Sequence, residues 1–104
     1  MAEVIWSEPA LAQLETIAEY IALDKPDAAR AVVRRITEAT DQLQCFRLMG
    51  RTIPEFPHPN YRQAWIRPCW VYYRIDGKDV RILHVRRAEQ QFRIEDLLEE
   101  EVKG

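Results

Sequence analysis

Between residues 61 and 87 the chain sets arginines among aromatics: Tyr61, Arg62, Trp65, Arg67, Trp70, Tyr72, Tyr73, Arg74, Arg81, Arg86 and Arg87. A guanidinium forks onto phosphate or carboxylate, and an aromatic ring stacks on a base or fills a protein hot spot. The arginines are therefore expected to carry function, and Trp70 and Tyr73 to pack. Side chains suited to catalysis are scarcer. His58 stands between Pro57 and Pro59 and reads as a loop residue; His84 falls mid-strand, where a hydrogen-bonded sheet histidine is expected before a base. Ser7 is better explained as a helix cap, and neither Cys45 nor Cys69 has a catalytic partner nearby in sequence. The chain has no Gly-rich phosphate loop, no HExxH and no GxSxG. Its two cysteines lack zinc-site spacing, so they read as reduced thiols of a cytoplasmic protein with no metal and no cofactor.

Charge is segregated along the chain. The formal net charge is −2, yet residues 1–46 hold four basic and eight acidic side chains, residues 47–94 ten and four, and residues 95–104 one and five. Two arrangements fit this pattern. One is a basic surface for a negatively charged partner; the other is a basic strand face neutralised by the acidic tail of the same chain. No apolar run reaches the roughly 18 residues of a membrane span, and the start, Met1-Ala2-Glu3-Val4-Ile5-Trp6, lacks the marks of a secretory signal. With 104 residues, the chain is expected to form one domain over 1–104.

The elements that must position these side chains can be read from periodicity. Glu3-Val4-Ile5-Trp6 predicts a short strand, and Ser7 caps a helix with Glu8 and Pro9 in its first turn. Leu11, Leu14, Ile17, Ala18 and Ile21 recur at helical spacing. A second helix begins near Pro26 with the stripe Ala29, Val32, Val33, Ile36 and Leu43, and ends before Gly50, read as a left-handed cap. Then the period falls to two. Thr52–Phe56 reads as extended, Tyr61–Arg67 and Trp70–Ile75 as strands, Asp76-Gly77 as a hairpin turn, and Val80–Arg86 as its second strand. Gln91–Val102 reads as a last helix whose acidic end, Glu99-Glu100-Glu101, opposes the helix dipole and is expected to fray. The order β-α-α-β-β-β-(α) predicts a two-layer α+β domain, a helical hairpin packed on a small antiparallel sheet, with the opposite sheet face bare. Along Val80–Arg87 neither alternating set is purely apolar, so this strand leaves open which face meets the helices.

The element order, the Pro26-Asp27-Ala28-Ala29 helix opening, Met49–Glu55, Val71–Ile75 and Val80–Val85 resemble the ParE/RelE toxins of bacterial type II toxin–antitoxin systems. The resemblance runs from about Val4 to Gln90. It implies a cytoplasmic toxin neutralised by a cognate antitoxin in a hetero-oligomer, with no membrane partner. The ParE branch acts on DNA gyrase; the RelE branch cuts mRNA on the ribosome. RelE-type nucleases use an arginine early in the third strand of this order, where this chain has Cys69 and Trp70, and many relatives end the last strand in His-Gly, where it has Arg87-Ala88. RNA cleavage needs a general base and acid, roles that a permanently protonated arginine fills poorly, although Arg62, Arg67 and Arg87 could stabilise a phosphorane by charge. The expectation is a non-enzymatic gyrase inhibitor, with the ribosome-dependent nuclease as the alternative and a non-toxic scaffold as a third reading. Its target-binding candidates are Arg62, Arg67, Arg74, Arg81, His84, Arg86 and Arg87. The antitoxin-binding candidates are Leu14, Ile21, Arg62, Trp65 and Tyr72.

Overall fold

Local chemistry starts each helix. In the computed structural model, which describes residues 2–103, strand β1 (Val4–Trp6) runs directly into α1 (Glu8–Ala22). Ser7 is the cap, its Oγ accepting from Ala10 N at 3.2 Å and so satisfying one orphan donor of the first turn. Helix α2 (Pro26–Asp41) has no side-chain cap; Pro26 opens it, where a missing N–H costs nothing. A 3₁₀ turn (Gln42–Gln44) extends it. The two helices bury Ala10, Leu14, Ile17, Val32 and Ile36 in the core they share with the sheet, while Leu11 of the predicted stripe is exposed.

The remaining elements are β2 (Arg51–Thr52), β3 (Tyr61–Ile66), β4 (Cys69–Asp76), β5 (Asp79–Arg87) and α3 (Ile94–Lys103). Strand order is β1-β5-β4-β3-β2. The predicted α+β order is present, with a mixed sheet: β1 lies parallel to β5, because the helical hairpin carries the chain back over the sheet before its partner strand begins, while the other pairs are antiparallel. Gly77 takes φ +60° in the β4–β5 turn, as Asp-Gly predicts.

Three local expectations are corrected. Thr52–Phe56 is not one extended run: β2 stops at Thr52, and Phe56 N returns to Ile53 O at 3.0 Å in a turn. Gly50 is not a left-handed cap. Its backbone lies so close beneath β3 and β4 that a Cβ would stand 2.7 Å from both Gln63 O and the Tyr73 hydroxyl, so glycine is required by space. The acidic end of α3 is docked against the sheet, its carboxylates drawn to partners that outweigh the unfavourable dipole.

A bulge resolves the ambiguous strand. Tyr72 pairs with His84, but Tyr73 pairs with Ile82, leaving Leu83 over. The extra residue shifts the phase of alternation. Val80, Ile82 and Val85 face the helices with Val71, Tyr73 and Ile75 of β4. Leu83 and Tyr72 join a second cluster on the opposite face with Ile53 and Leu97 of α3.

Candidate functional site

That opposite face is not bare, as the sequence reading expects; α3 lies across it. Leu97 is fully buried among Ile53, Tyr72 and Leu83, with Tyr61, Trp70, Phe92 and Ile94 packed around them. One turn later the tail places two carboxylates on the strands. Glu101 forms an ion pair with Arg74 and accepts from the Tyr61 hydroxyl at 2.8 Å. Glu100 lies 2.8 Å from His84 Nδ1 and accepts from Gln13 Nε2 of α1 at 3.0 Å, while Gln13 Oε1 accepts from Val85 N at 2.8 Å. Of the two charge arrangements the sequence allows, this face takes the one in which the tail neutralises basic strands. The reason is local concentration: carboxylates tethered 13 and 14 residues past the end of β5 meet these side chains at lower entropic cost than those of any separate molecule.

The structure divides the candidate residues. Arg74, Arg81, His84 and Arg86 come together on the α3 face. Arg74 and Arg81 are cross-strand partners and line a cavity of about 690 Å³ with Trp6, Ser7, Leu83, Glu100 and Glu101. Arg74 also binds Asp76 at 2.9 Å, and this hydrogen bond is the main reason its guanidinium is held above its ordinary range and the Asp76 carboxyl below its own. Arg86 is woven into the framework: its Nε donates to the Tyr72 hydroxyl at 2.9 Å, its Nη1 reaches the carbonyls of Ala88 and Gln90, and its guanidinium lies over the Phe92 ring at 5.5 Å. His84 packs edge-on against Tyr72 and Phe92.

Arg62, Arg67 and Arg87 stand apart from that group. Arg62 donates to Gly50 O and Pro59 O, pinning the loops before and after β2. Arg67 sits in the tight β3–β4 turn, where its carbonyl accepts from Arg35 of α2. Arg87 lies over the Tyr20 ring at 4.0 Å and pairs with Glu89 at 3.2 Å, on the helical side. Among the antitoxin candidates, Leu14 and Tyr72 are buried, Ile21 is half-buried, and Trp65 is exposed. Trp65 tilts on Trp70 with ring centroids 5.2 Å apart, and Arg51 lies 5.7 Å over Trp70, at the part of the face beyond α3.

Sequence reasoning missed Gln13, Arg51, Glu100 and Glu101 as members of this surface. The one signal for them was the acidic tail beside a basic middle segment; nothing in the spacing pairs individual side chains. Burial pushes the Tyr72 phenol of this face up, against a smaller downward pull from Arg86, and does the same to Tyr73 on the helix-facing side, against the Gly50 amide. Burial also pushes the Tyr61 phenol up, with Glu101 adding to it. These hydroxyls stay protonated at neutral pH and serve as hydrogen-bonding groups. Among the described residues no group of three potential metal ligands occurs, and no helix is long and apolar enough to cross a membrane. The arrangement suits binding: guanidiniums for carboxylate or phosphate, aromatics for apolar contact.

Residues 4–92 match the family described as the ParE toxin of the type II toxin–antitoxin system parDE. A protein named putative toxin Y4kP, from Sinorhizobium fredii (strain NBRC 101917 / NGR234), is 40% identical over 87 residues, spanning 84% of this chain and 88% of its own. Toxin RelE2 of Caulobacter vibrioides (strain ATCC 19089 / CIP 103742 / CB 15) is 34% identical over 90 residues, spanning 85% and 97%. A solved structure titled as a chromosomal ParDE TA system from P. aeruginosa superposes with a TM-score of 0.71 at 27% identity, covering 86% of this chain and 98% of that one.

Proposed function

The chain belongs to the ParE family of type II toxin–antitoxin toxins, and from that premise we propose that it inhibits DNA gyrase by protein–protein binding, in the cytoplasm, and is neutralised by a cognate antitoxin. The observation that carries the reading is the make-up of the strand face. Its guanidiniums are set among aromatics, Arg86 is tied to backbone carbonyls, and its tyrosines are held protonated. With Arg74 and His84 taken by the tail's carboxylates, the contacts left for a macromolecule are Arg81 and the Trp65–Trp70 pair beside Arg51, which supply charge and ring contact. Growth arrest follows from the target that is gripped. The test is a supercoiling assay with purified gyrase: the expected result is lost supercoiling with gyrase-linked DNA breaks, and restoration on adding the antitoxin encoded beside this gene. Supercoiling that proceeds unchanged at saturating protein overturns the gyrase assignment.

One contact favours the RelE-like alternative. His84 and Glu100 stand 2.8 Å apart, a carboxylate-oriented imidazole beside Arg86, which is the kind of pair that accepts a proton from a ribose hydroxyl. A RelE-named relative points the same way. Under that reading, purified protein cuts mRNA on ribosomes and His84→Ala abolishes the cut; intact mRNA with the wild-type chain removes it.

A further inference from the structure

The part of the chain that matches the toxin family, residues 4–92, carries every strand of the sheet and ends before α3 (Ile94–Lys103) begins. The groove under α3 is therefore built by the shared domain. Its floor is Ile53, Tyr72 and Leu83, all buried, and its walls carry Tyr61, Arg74 and His84. The helix meets it with one spacing. Leu97 fills the floor, and Glu100 and Glu101, three and four residues on, share its side of the helix and reach His84 and Arg74. Glu95, Asp96 and Glu99 are exposed. An aliphatic anchor followed by acids on one helical face is the chemistry of a helical ligand for a basic, aromatic groove. The chain thus carries, in cis, a ligand for its own strand face.

The attachment is weak enough to exchange. A helix of ten residues is marginal on its own in water. One fully buried leucine and two partly exposed charge contacts hold it down. The chain before it is anchored separately: Phe92 stacks on Tyr72 with ring centroids 4.2 Å apart, and the Arg86 guanidinium lies over the Phe92 ring. Release can therefore be confined to the residues after Phe92, with the sheet intact. Release frees Arg74 from Glu101 beside its cross-strand neighbour Arg81, frees His84 from Glu100, and uncovers the apolar seat of Leu97. That seat takes an aliphatic side chain and offers nothing to a phosphate or a sugar, so the chemistry favours a protein over a nucleic acid.

We propose that α3 is an internal competitor for the target. It fills the groove that a helical segment of the target enters, one with an aliphatic residue followed three and four positions later by acids, and full binding requires α3 to lift. This rests on the gyrase reading above and adds its regulation. Trp65, Trp70 and Arg51 lie beyond α3 and are shown in both states, so inhibition by the closed chain is weak rather than absent. A site that is open for a fraction of the time binds with its affinity reduced by that fraction.

Two measurements on the full chain test this. The first adds a synthetic peptide of residues 94–104 in trans and follows the Tyr72 and Leu83 amides by NMR. Glu100→Gln with Glu101→Gln loosens the resident helix and is expected to capture the wild-type peptide about 10-fold more tightly than the wild-type chain does. Leu97→Ser is expected to do the same, with hydrogen exchange of α1 and α2 confirming that the domain is folded. Glu95→Gln with Glu99→Gln removes the same charge from exposed positions and is expected to stay within about two-fold of wild type. The second measurement is gyrase supercoiling, which the loosened chains are expected to inhibit at about 10-fold lower concentration than wild type. Folded, loosened chains that capture the peptide no better than wild type overturn the proposal. So do loosened chains that inhibit gyrase no better than a wild-type chain that does inhibit it. A gain confined to antitoxin binding assigns the groove to that partner and overturns it equally. Supercoiling left unchanged at saturation by wild-type and loosened chains alike sinks the gyrase reading itself, and this inference with it.

Discussion

The two faces of one sheet are closed by different physics. On the first, a helical hairpin lays Ala10, Leu14, Ile17, Val32 and Ile36 against Val71, Tyr73, Ile75, Val80, Ile82 and Val85, an interior built almost wholly from apolar side chains. On the second, ten residues of helix bring a single fully buried leucine and two carboxylates against arginine, histidine and tyrosine. Dry packing on the first face makes the fold cooperative. The second face is held by few apolar contacts and by charge pairs near solvent, so it is expected to open at a free energy below that of global unfolding. The contrast teaches where each kind of residue is used: apolar stripes specify the domain, and the arginines with their covering tail specify what is shown to a partner.

The comparison can be broken or sharpened by substitution. The largest effect is expected at Ile36→Ala. This side chain is fully buried, and its loss leaves a cavity costing about 2–5 kcal/mol. Urea unfolding should show the loss in every probe at once. Gly50→Ala follows, at about 1–3 kcal/mol, because the new methyl meets Gln63 O and the Tyr73 hydroxyl at 2.7 Å. A stable Gly50→Ala chain would mean the loop relaxes freely, contrary to its hydrogen bonding. Leu97→Ala should cost less globally than Ile36→Ala, although both sites are fully buried. The loss is bounded by the docking energy of α3 and is expected to read about 1–2 kcal/mol. Hydrogen exchange is the sharper probe: α3 amides should lose protection while those of α2 keep it. Equal loss in both helices would erase the distinction between the faces.

Smaller effects come from pH and from thiol chemistry. The Asp76 carboxyl is depressed by Arg74, so this pair contributes stability that is present at neutral pH and is lost as pH falls through the folded value, below about 4. The Tyr61 phenol is raised above 10.0 by burial and then by Glu101, so its contribution is full below pH 10 and is lost as pH rises through the raised value. Both groups lie on the α3 side. Amide exchange of α3 followed across pH should therefore respond at both extremes before the hairpin does. The smallest perturbation is chemical labelling. Cys45 is exposed, whereas burial pushes the Cys69 thiol up to about 11, so a thiol reagent should modify Cys45 alone in the folded chain. Labelling of Cys69 as fast as Cys45 would mean that the helix-facing side of the sheet opens readily to solvent.

Much of this architecture is legible along the chain. Ser7 and Pro26 announce their helices, Asp76-Gly77 its hairpin, and the stripes of α1 and α2 their buried sides. The Val80–Arg87 strand resists such reading because the bulge at Leu83 breaks the period of two, and a bulge leaves no mark in one strand alone. Gly50 is misread for a similar reason. A glycine needed for space looks the same in sequence as one needed for φ, and Gln63 and Tyr73, which crowd it, lie 13 and 23 positions away. The candidate site was legible as a set of residue types and illegible as a set of neighbours: Arg62 and Arg87 belong to the arginine-rich segment but project away from Arg74, Arg81 and Arg86.

Hydrophobic spacing and turn chemistry act over a few residues, so one-dimensional order is enough to define the helices, the hairpin and the class of fold. Charge acts through space. The destination of Glu100 and Glu101 and the split among the arginines depend on which distant segments meet, and that is settled when the layers pack and α3 crosses the sheet.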